Sequence, residues 1–229
     1  MGTNKTQLKL VFLVREKSYR TKEKIVDAAM SLIAQKGYTA TSMRQIAKKA
    51  GLTTGSIYNY FESKTHVLLE IQTKFLDDLT KSIERDDRGV FLKKEIENII
   101  ESILKAINNN KLAYKIMVDE FYHFPKPQQR ILNIKAKKLE DLIQNVFAEG
   151  AKSGELKVAK NVKNEDCYKM LTFFILGACN YATRWLDPKG SLSYKEISSL
   201  FSSFVLNGVL ENKYDVAPIP KTTVEEKQS

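Results

Sequence analysis

The chain is poor in residues that interrupt, crosslink or ligate. Of 229 residues only two are cysteines, five prolines, ten glycines, two histidines and one tryptophan. Cys167 and Cys179 lie twelve positions apart. On one helix that is roughly 18 Å at 1.5 Å per residue, too far to bridge, so no disulfide is expected and a reducing, cytoplasmic compartment fits. His66 and His123 stand in no cysteine–histidine metal spacing. No glycine-rich phosphate loop or serine elbow occurs, so no catalytic and no metal-ligating residue can be named. Glu120 and His123, three apart on one helix, read as a surface salt-bridged pair. No apolar run approaches the roughly 20 residues of a membrane span, and Leu10–Val14 is too short for a signal peptide, so no membrane partner is expected. Met1-Gly2-Thr3-Asn4-Lys5-Thr6 fits the loose myristoylation pattern, which is common by chance. Little of the chain alternates with period two. Sparse proline and glycine with plentiful helix formers predict an all-α protein of about nine helices.

What the chain does have is positive charge, unevenly placed. The net charge is +10. Residues 1–70 hold 12 Lys+Arg against 5 Asp+Glu, a net +7, and the remainder holds 25 against 22, a net +3. A basic N-terminal third suits phosphate contacts and counterion release.

Within that third, Thr41–Lys64 reads as two short helices joined by a glycine turn. Met43, Ile46, Ala47 and Ala50 recur at helical spacing and form one buried stripe. Gly51 sits where the turn needs a left-handed residue. Thr53 or Thr54 caps the second helix, whose Ile57, Tyr60 and Phe61 face inward. Thr54, Ser56, Tyr58 and Asn59 are left on the outer face, with Lys64 beyond. A small, polar face without carboxylates fits the major groove, where base edges present donors, acceptors and a thymine methyl. A helix runs before it from about Thr21 to Lys36, with Ile25, Ala28, Ala29, Leu32 and Ile33 inward and Gly37 as its stop. Residues 1–20 are compatible with a flexible arm, a helical extension or an upstream start of translation. Lys5, Lys9, Arg15 and Lys17 favour an arm near phosphate.

The string Ile25…Ala28-Ala29…Leu32-Ile33…Gly37-Tyr38…Thr41-Ser42…Ile46-Ala47…Ala50-Gly51-Leu52…Gly55…Ile57-Tyr58-Asn59-Tyr60-Phe61…Lys64…Leu68-Leu69 resembles the N-terminal domain of TetR/AcrR-type transcriptional regulators. The resemblance implies a helix-turn-helix DNA-binding domain over 21–66. It implies that Thr41, Ser42, Tyr58, Tyr60 and Lys64 hold phosphates while Arg44, Thr54, Ser56 and Asn59 approach bases. Thr53, at the cap of the second helix, belongs to the same set. Tyr60 packs its ring inward, so only its hydroxyl can reach DNA. Thr54 stands where many relatives carry lysine or arginine, so base preference does not transfer.

Residues 67–212 read as a second, helical domain for ligand binding and dimerisation, and 213–229 as a disordered tail. Helices are expected from Ser63 or Lys64 to about Arg85, over Phe91–Ile107, Lys111–Phe124, Gln128–Lys152, Asn164–Leu186 and Tyr194–Leu210. Asp86-Asp87-Arg88-Gly89 forms the turn after the first of these. Phe75, Leu79, Ile103, Ile107, Tyr114, Met117, Phe121, Tyr122, Phe147, Met170, Phe174 and Tyr181 suit an apolar pocket with a few polar handles. A packed core uses the same residue types. The last two helices are apolar on more than one side and need more than one neighbour. Periodicity is met equally by two central core helices and by a dimer surface formed by Phe173, Gly177, Leu200, Phe201, Phe204 and Val205. The family resemblance, in which the last two helices dimerise, selects the latter. Gly177…Trp185-Leu186-Asp187-Pro188…Gly190…Leu192-Ser193…Glu196-Ile197 is similar to the end of acyl-CoA-responsive regulators of fatty-acid breakdown. The expectation is a homodimeric repressor, without cofactor, that binds a palindromic double-stranded DNA operator. A small apolar effector, foremost a long-chain acyl-CoA, releases it. Alternatives are an efflux regulator answering diverse apolar compounds and an effector-binding module without a specific operator.

Overall fold

The computed structural model describes residues 3–84, 91–157, 162–182, 184–187 and 190–210. The turn expected at Asp86–Gly89, the tail from Lys213, the Met1-Gly2 signal and the side-chain pairing of Glu120 with His123 lie outside what is described. Among the described residues there are nine α-helices, one 3-10 turn and no strand.

The first helix, α1, runs Thr3–Lys36, so residues 3–20 extend the helix expected to begin near Thr21. The reason is local. No glycine or proline occurs between Thr3 and Lys36, and the Thr21 hydroxyl donates to the Lys17 carbonyl at 2.8 Å. Thr21 therefore bonds back within a continuous helix instead of capping a new one. The extension is uncovered, with Val11, Phe12, Leu13 and Val14 all exposed.

Gly37, at φ +83°, ends α1. The second helix, α2, spans Met43–Lys49 behind the Ser42 cap, where Ser42 and Gln45 bond reciprocally. Gly51 at φ +72° makes the turn, and Leu52 N–H donates to the Ala47 carbonyl at 2.9 Å. The helical part of α3 is only Thr54–Ile57. Tyr58, Asn59 and Tyr60 continue it through bonds to the carbonyls three residues back, a 3-10-like tightening of the expected recognition helix. Ser63 caps α4, Lys64–Ile83.

The rest are α5 (Leu92–Asn109), α6 (Lys111–Glu120), a 3-10 turn (Phe121–His123), α7 (Lys126–Lys152), α8 (Asn164–Ala182) and α9 (Tyr194–Leu210). Pro127 falls in the first turn of α7, where a missing N–H is harmless. The helix read to Leu186 stops at Ala182. Turn bonds follow from the N–H groups of Arg184, Trp185 and Leu186.

One apolar core runs from Ile25, Ile46 and Ile57 through Leu68, Ile71 and Phe75 of α4 to Ile96, Ile100, Ile143, Phe147 and Ile175. The long α4 thus joins the N-terminal three-helix unit to the larger helical body. It packs against α5, α6 and α7 as well as α1, and α6 also reaches α1.

Candidate nucleic-acid interface and effector cavity

The exposed face of the N-terminal unit is built by caps. Ser42 Oγ accepts from Gln45 N–H at 3.3 Å, and Ser42 N–H donates to Gln45 Oε1 at 3.0 Å. Lys36 Nζ donates to the same Gln45 oxygen at 2.6 Å, so the end of α1 also supports the start of α2. Thr53 Oγ1 accepts from Ser56 N–H at 3.1 Å and lies 2.7 Å from Ser56 Oγ. Each cap satisfies a donor that a helix start would otherwise leave unpaired.

These bonds sort the residues read as DNA contacts. Ser42, Arg44, Thr53, Thr54, Tyr58 and Asn59 are exposed together. Ser56 is half-buried, with its hydroxyl engaged by Thr53. Tyr60 is half-buried against the core, as its inward ring requires. Thr41 is corrected: it is 2% exposed, and its hydroxyl donates to the Gly37 carbonyl at 2.9 Å. A buried hydroxyl that finishes the α1 turn cannot meet a phosphate as placed. Lys64 is half-buried. Its ammonium donates to the carbonyls of Tyr38 at 2.7 Å and Thr39 at 3.4 Å and sits 4.1 Å from the Tyr38 ring centroid. Burial pushes the Lys64 ammonium pKa down; the Glu120 carboxylate opposes this and the Lys36 cation adds to it. Lys64 therefore ties the α1–α2 turn to the start of α4. The Tyr38 hydroxyl and Thr65 Oγ1, 3.0 Å apart, make a second tie in the same place.

A cavity of about 650 Å³ opens between α5, α6 and the end of α8. Its lining includes Leu104, Ile107 and Asn108 of α5, then Lys111, Tyr114, Lys115, Val118 and Asp119 of α6. Gly177, Asn180 and Tyr181 of α8 complete it, with Arg184 and Leu186 beyond. Its size is ordinary for a small-molecule site, roughly 300–1,000 Å³. The Tyr114 hydroxyl donates to the Asn180 carbonyl at 3.4 Å across it.

Of the twelve residues read as pocket lining, Ile107, Tyr114 and Tyr181 are on this cavity. Phe75, Leu79, Ile103 and Phe147 are buried in the core instead. Met117 and Phe121 are half-buried and pack against that core. Tyr122, Met170 and Phe174 are exposed away from the cavity lining. The error is one of helix face. Tyr114, Met117, Phe121 and Tyr122 are the expected ligand side of this stretch, whereas positions 111, 114, 115, 118 and 119 of α6 face this cavity. Their i, i+3, i+4 spacing was a usable signal, masked because two of them are lysines.

The proposed dimer residues separate as well. Phe173, Leu200 and Phe204 are exposed apolar side chains, Phe204 at 70%. Gly177 is exposed and lines the cavity. Phe201 is half-buried against the Trp185 ring, centroids 6.5 Å apart. Val205, 4% exposed, belongs to the subunit core and is corrected accordingly.

Among the described residues no group of three or more His, Cys, Asp and Glu side chains could hold a metal ion. In the same residues no helix is long and apolar enough to cross a membrane. Cys167 and Cys179 are buried free thiols. Burial pushes the Cys179 thiol up to about 12, so the thiolate needed for nucleophilic chemistry is negligible at neutral pH.

The sequence model described as "Bacterial regulatory proteins, tetR family" matches residues 25–71. That described as "Tetracyclin repressor-like, C-terminal domain" matches residues 93–209. The HTH-type transcriptional repressor KstR2 of Rhodococcus jostii (strain RHA1) is 31% identical over 188 residues, 81% of this chain and 89% of that protein. Two solved structures share the fold. FadR of Bacillus subtilis, in complex with stearoyl-CoA, superposes with a TM-score of 0.67 at 20% identity, covering 82% of this chain and 98% of that one. AibR, in complex with isovaleryl coenzyme A and operator DNA, gives 0.66 at 18% identity, covering 81% and 98%.

Proposed function

Because the chain belongs to the TetR family of bacterial transcriptional regulators, we propose that it is a homodimeric, ligand-responsive repressor. Each subunit presents Arg44, Thr54 and Asn59 to the bases of a major groove of a palindromic operator in the cytoplasm, with Ser42 and Tyr58 beside them at the backbone. Its effector is an acyl-CoA thioester, which occupies the cavity between α5, α6 and α8 and releases the operator. The observation that carries this reading is the position of α6. It forms one wall of the cavity and also packs against α1 and α4, the two helices that hold the reading unit.

Gln72 of α4 lies on that route, fully buried, with its amide donating to the Ile116 carbonyl of α6 at 3.4 Å. A ligand that displaces α6 acts on α4 through this contact. It can shift the DNA-binding equilibrium only by its difference in affinity for the two arrangements. The acyl-CoA class is supported by what two relatives of the same fold are solved with, stearoyl-CoA in FadR and isovaleryl coenzyme A in AibR. Dimerisation is supported by the uncovered Phe173, Phe174 and Phe204, rings that a monomer in water would not profitably expose together.

The test is fluorescence anisotropy with a labelled duplex from the region upstream of the protein's own gene. Tight binding that exceeds random duplex, and release on adding palmitoyl-CoA, is the expected result. Equal affinity for random duplex would sink the operator reading. Retention of the duplex at saturating palmitoyl-CoA would sink the effector class.

A further inference from the structure

We propose that Lys111, Lys115 and Arg184 form the phosphate subsite of the effector cavity. There they hold the nucleotide end of the thioester while the acyl chain lies inward on Leu104 and Ile107. The inference rests on the acyl-CoA reading above and assigns which end of that molecule is recognised, and by what.

The cavity has two chemical halves. Leu104 and Ile107 of α5 are about 1% and 3% exposed and form an apolar floor. The three cations lie on the same cavity and are exposed to solvent. Lys111 and Lys115 are one turn apart on α6, so their stems rise from the same helix face at about 5–6 Å separation between Cβ atoms. Arg184 comes from the turn after α8, so the charge is gathered from two elements. With Asp119, which also lines the cavity, the local formal charge is three minus one, or +2.

Asp119 offsets only one of the three charges. Lysines elsewhere on the subunit hold carboxylates: Lys105 with Glu101, Lys135 with Asp77 and Lys138 with Glu84. Among the described residues no such ion pair joins Lys111, Lys115 or Arg184. The Arg184 guanidinium instead stands 5.7 Å from the Tyr181 ring centroid. Like charges gathered on one cavity repel one another over a Debye length of ~8 Å, and a polyanion entering between them removes that repulsion. A fatty acid brings one carboxylate; a thioester with a nucleotide end brings several phosphate charges and no carboxylate. Guanidinium binds phosphate as a fork and ammonium as a point charge, so the set matches the second ligand. The two lysines stand on α6, and the anion would therefore draw on the helix that reaches α1 and α4.

The experiment is calorimetric titration of the full-length protein and of the K111Q/K115Q/R184Q variant with palmitoyl-CoA and with palmitic acid. Thermal melting of each confirms that the variant is folded, and the single K115Q variant serves as a milder second. Expected is a loss of palmitoyl-CoA affinity of at least ~10-fold in the triple variant, a smaller loss in K115Q, and little change for palmitic acid. The salt dependence of palmitoyl-CoA binding should flatten in the same order. Unchanged palmitoyl-CoA affinity in a folded triple variant overturns the subsite and leaves the acyl-CoA reading standing. Equal losses for both ligands also overturn it, because the cations would then recognise a carboxylate. Failure of the wild-type protein to bind palmitoyl-CoA removes the acyl-CoA reading, and the subsite with it.

Discussion

Lys64 joins the turn after α1 to the start of α4 beside the exposed face of the N-terminal unit. Its ammonium lies on the Tyr38 and Thr39 carbonyls in the turn between α1 and α2, where the Tyr38 oxygen also accepts from Thr41 N–H. K64A should therefore lower stability by about 1 kcal/mol, the usual worth of such a bond, and weaken every duplex. The decisive measurement is the slope of log affinity against log salt. A clamp leaves the slope unchanged, whereas a phosphate contact would reduce it by about one. Tyr58 and Asn59 were legible as outward-facing because three-residue and four-residue spacing fixes their side of the turn. The burial of Thr41 was not. A threonine before a helix start reads the same whether its hydroxyl faces solvent or, as here, returns to the Gly37 carbonyl.

Among the helices, α5 has an unusual start. Its cap residue Phe91 offers no side-chain bond. Instead Glu155, beyond the end of α7, accepts from Leu92 N–H at 2.7 Å. A carboxylate at a helix N-terminus also meets the favourable end of the helix dipole. E155Q should keep the bond and lose the charge, and E155A should lose both, at about 0.5–2 kcal/mol in chemical denaturation. Glu95, in the same first turn, has its pKa raised by burial first and then by the Glu155 and Glu149 carboxylates. A carboxyl that holds its proton more tightly when folded adds stability as pH falls and loses that contribution as pH rises through its folded pKa. E95Q should therefore flatten the stability gained on acidification in the carboxylate range; an unchanged pH profile would show that Glu95 is not coupled. Where α5 meets α7, a Cβ at Gly150 would lie 2.7 Å from Leu92 Cδ2. Because Leu92 is 3% exposed, G150A should cost about 1–3 kcal/mol by overpacking, read as a lower denaturation midpoint. Sequence periodicity located these helices to within a few residues but could not show a glutamate capping from 63 positions away, since nothing local encodes it.

For the whole molecule, the division into a three-helix reader and a larger helical body was legible because the charge asymmetry and the apolar stripes change together near α4. The extent of α1 was not. Residues 3–20 carry no amphipathic pattern, and their helix follows only from the absence of a breaker. The pocket was legible as a region but not as a face, since which side of α6 opens depends on how α5 and α8 pack around it. At this scale the subunit still exposes Met170, Phe173 and Phe174 on α8 with Leu200 and Phe204 on α9. If these meet a second copy, F173D/F204D should sediment as a monomer and lose operator affinity while its helical circular dichroism persists. A variant that still sediments as a dimer would place the interface elsewhere.

The two-sided setting of α6 has a genetic corollary. Alleles on its cavity side, at Lys111, Tyr114, Lys115 or Val118, should be super-repressors that keep the operator shut in the presence of inducer. Alleles at the buried Ile116, on the turn whose carbonyl accepts from the Gln72 amide, should uncouple the other way, leaving target genes constitutively expressed without inducer. A ten-residue helix would thus yield opposite phenotypes from neighbouring codons, sorted by the direction each side chain faces.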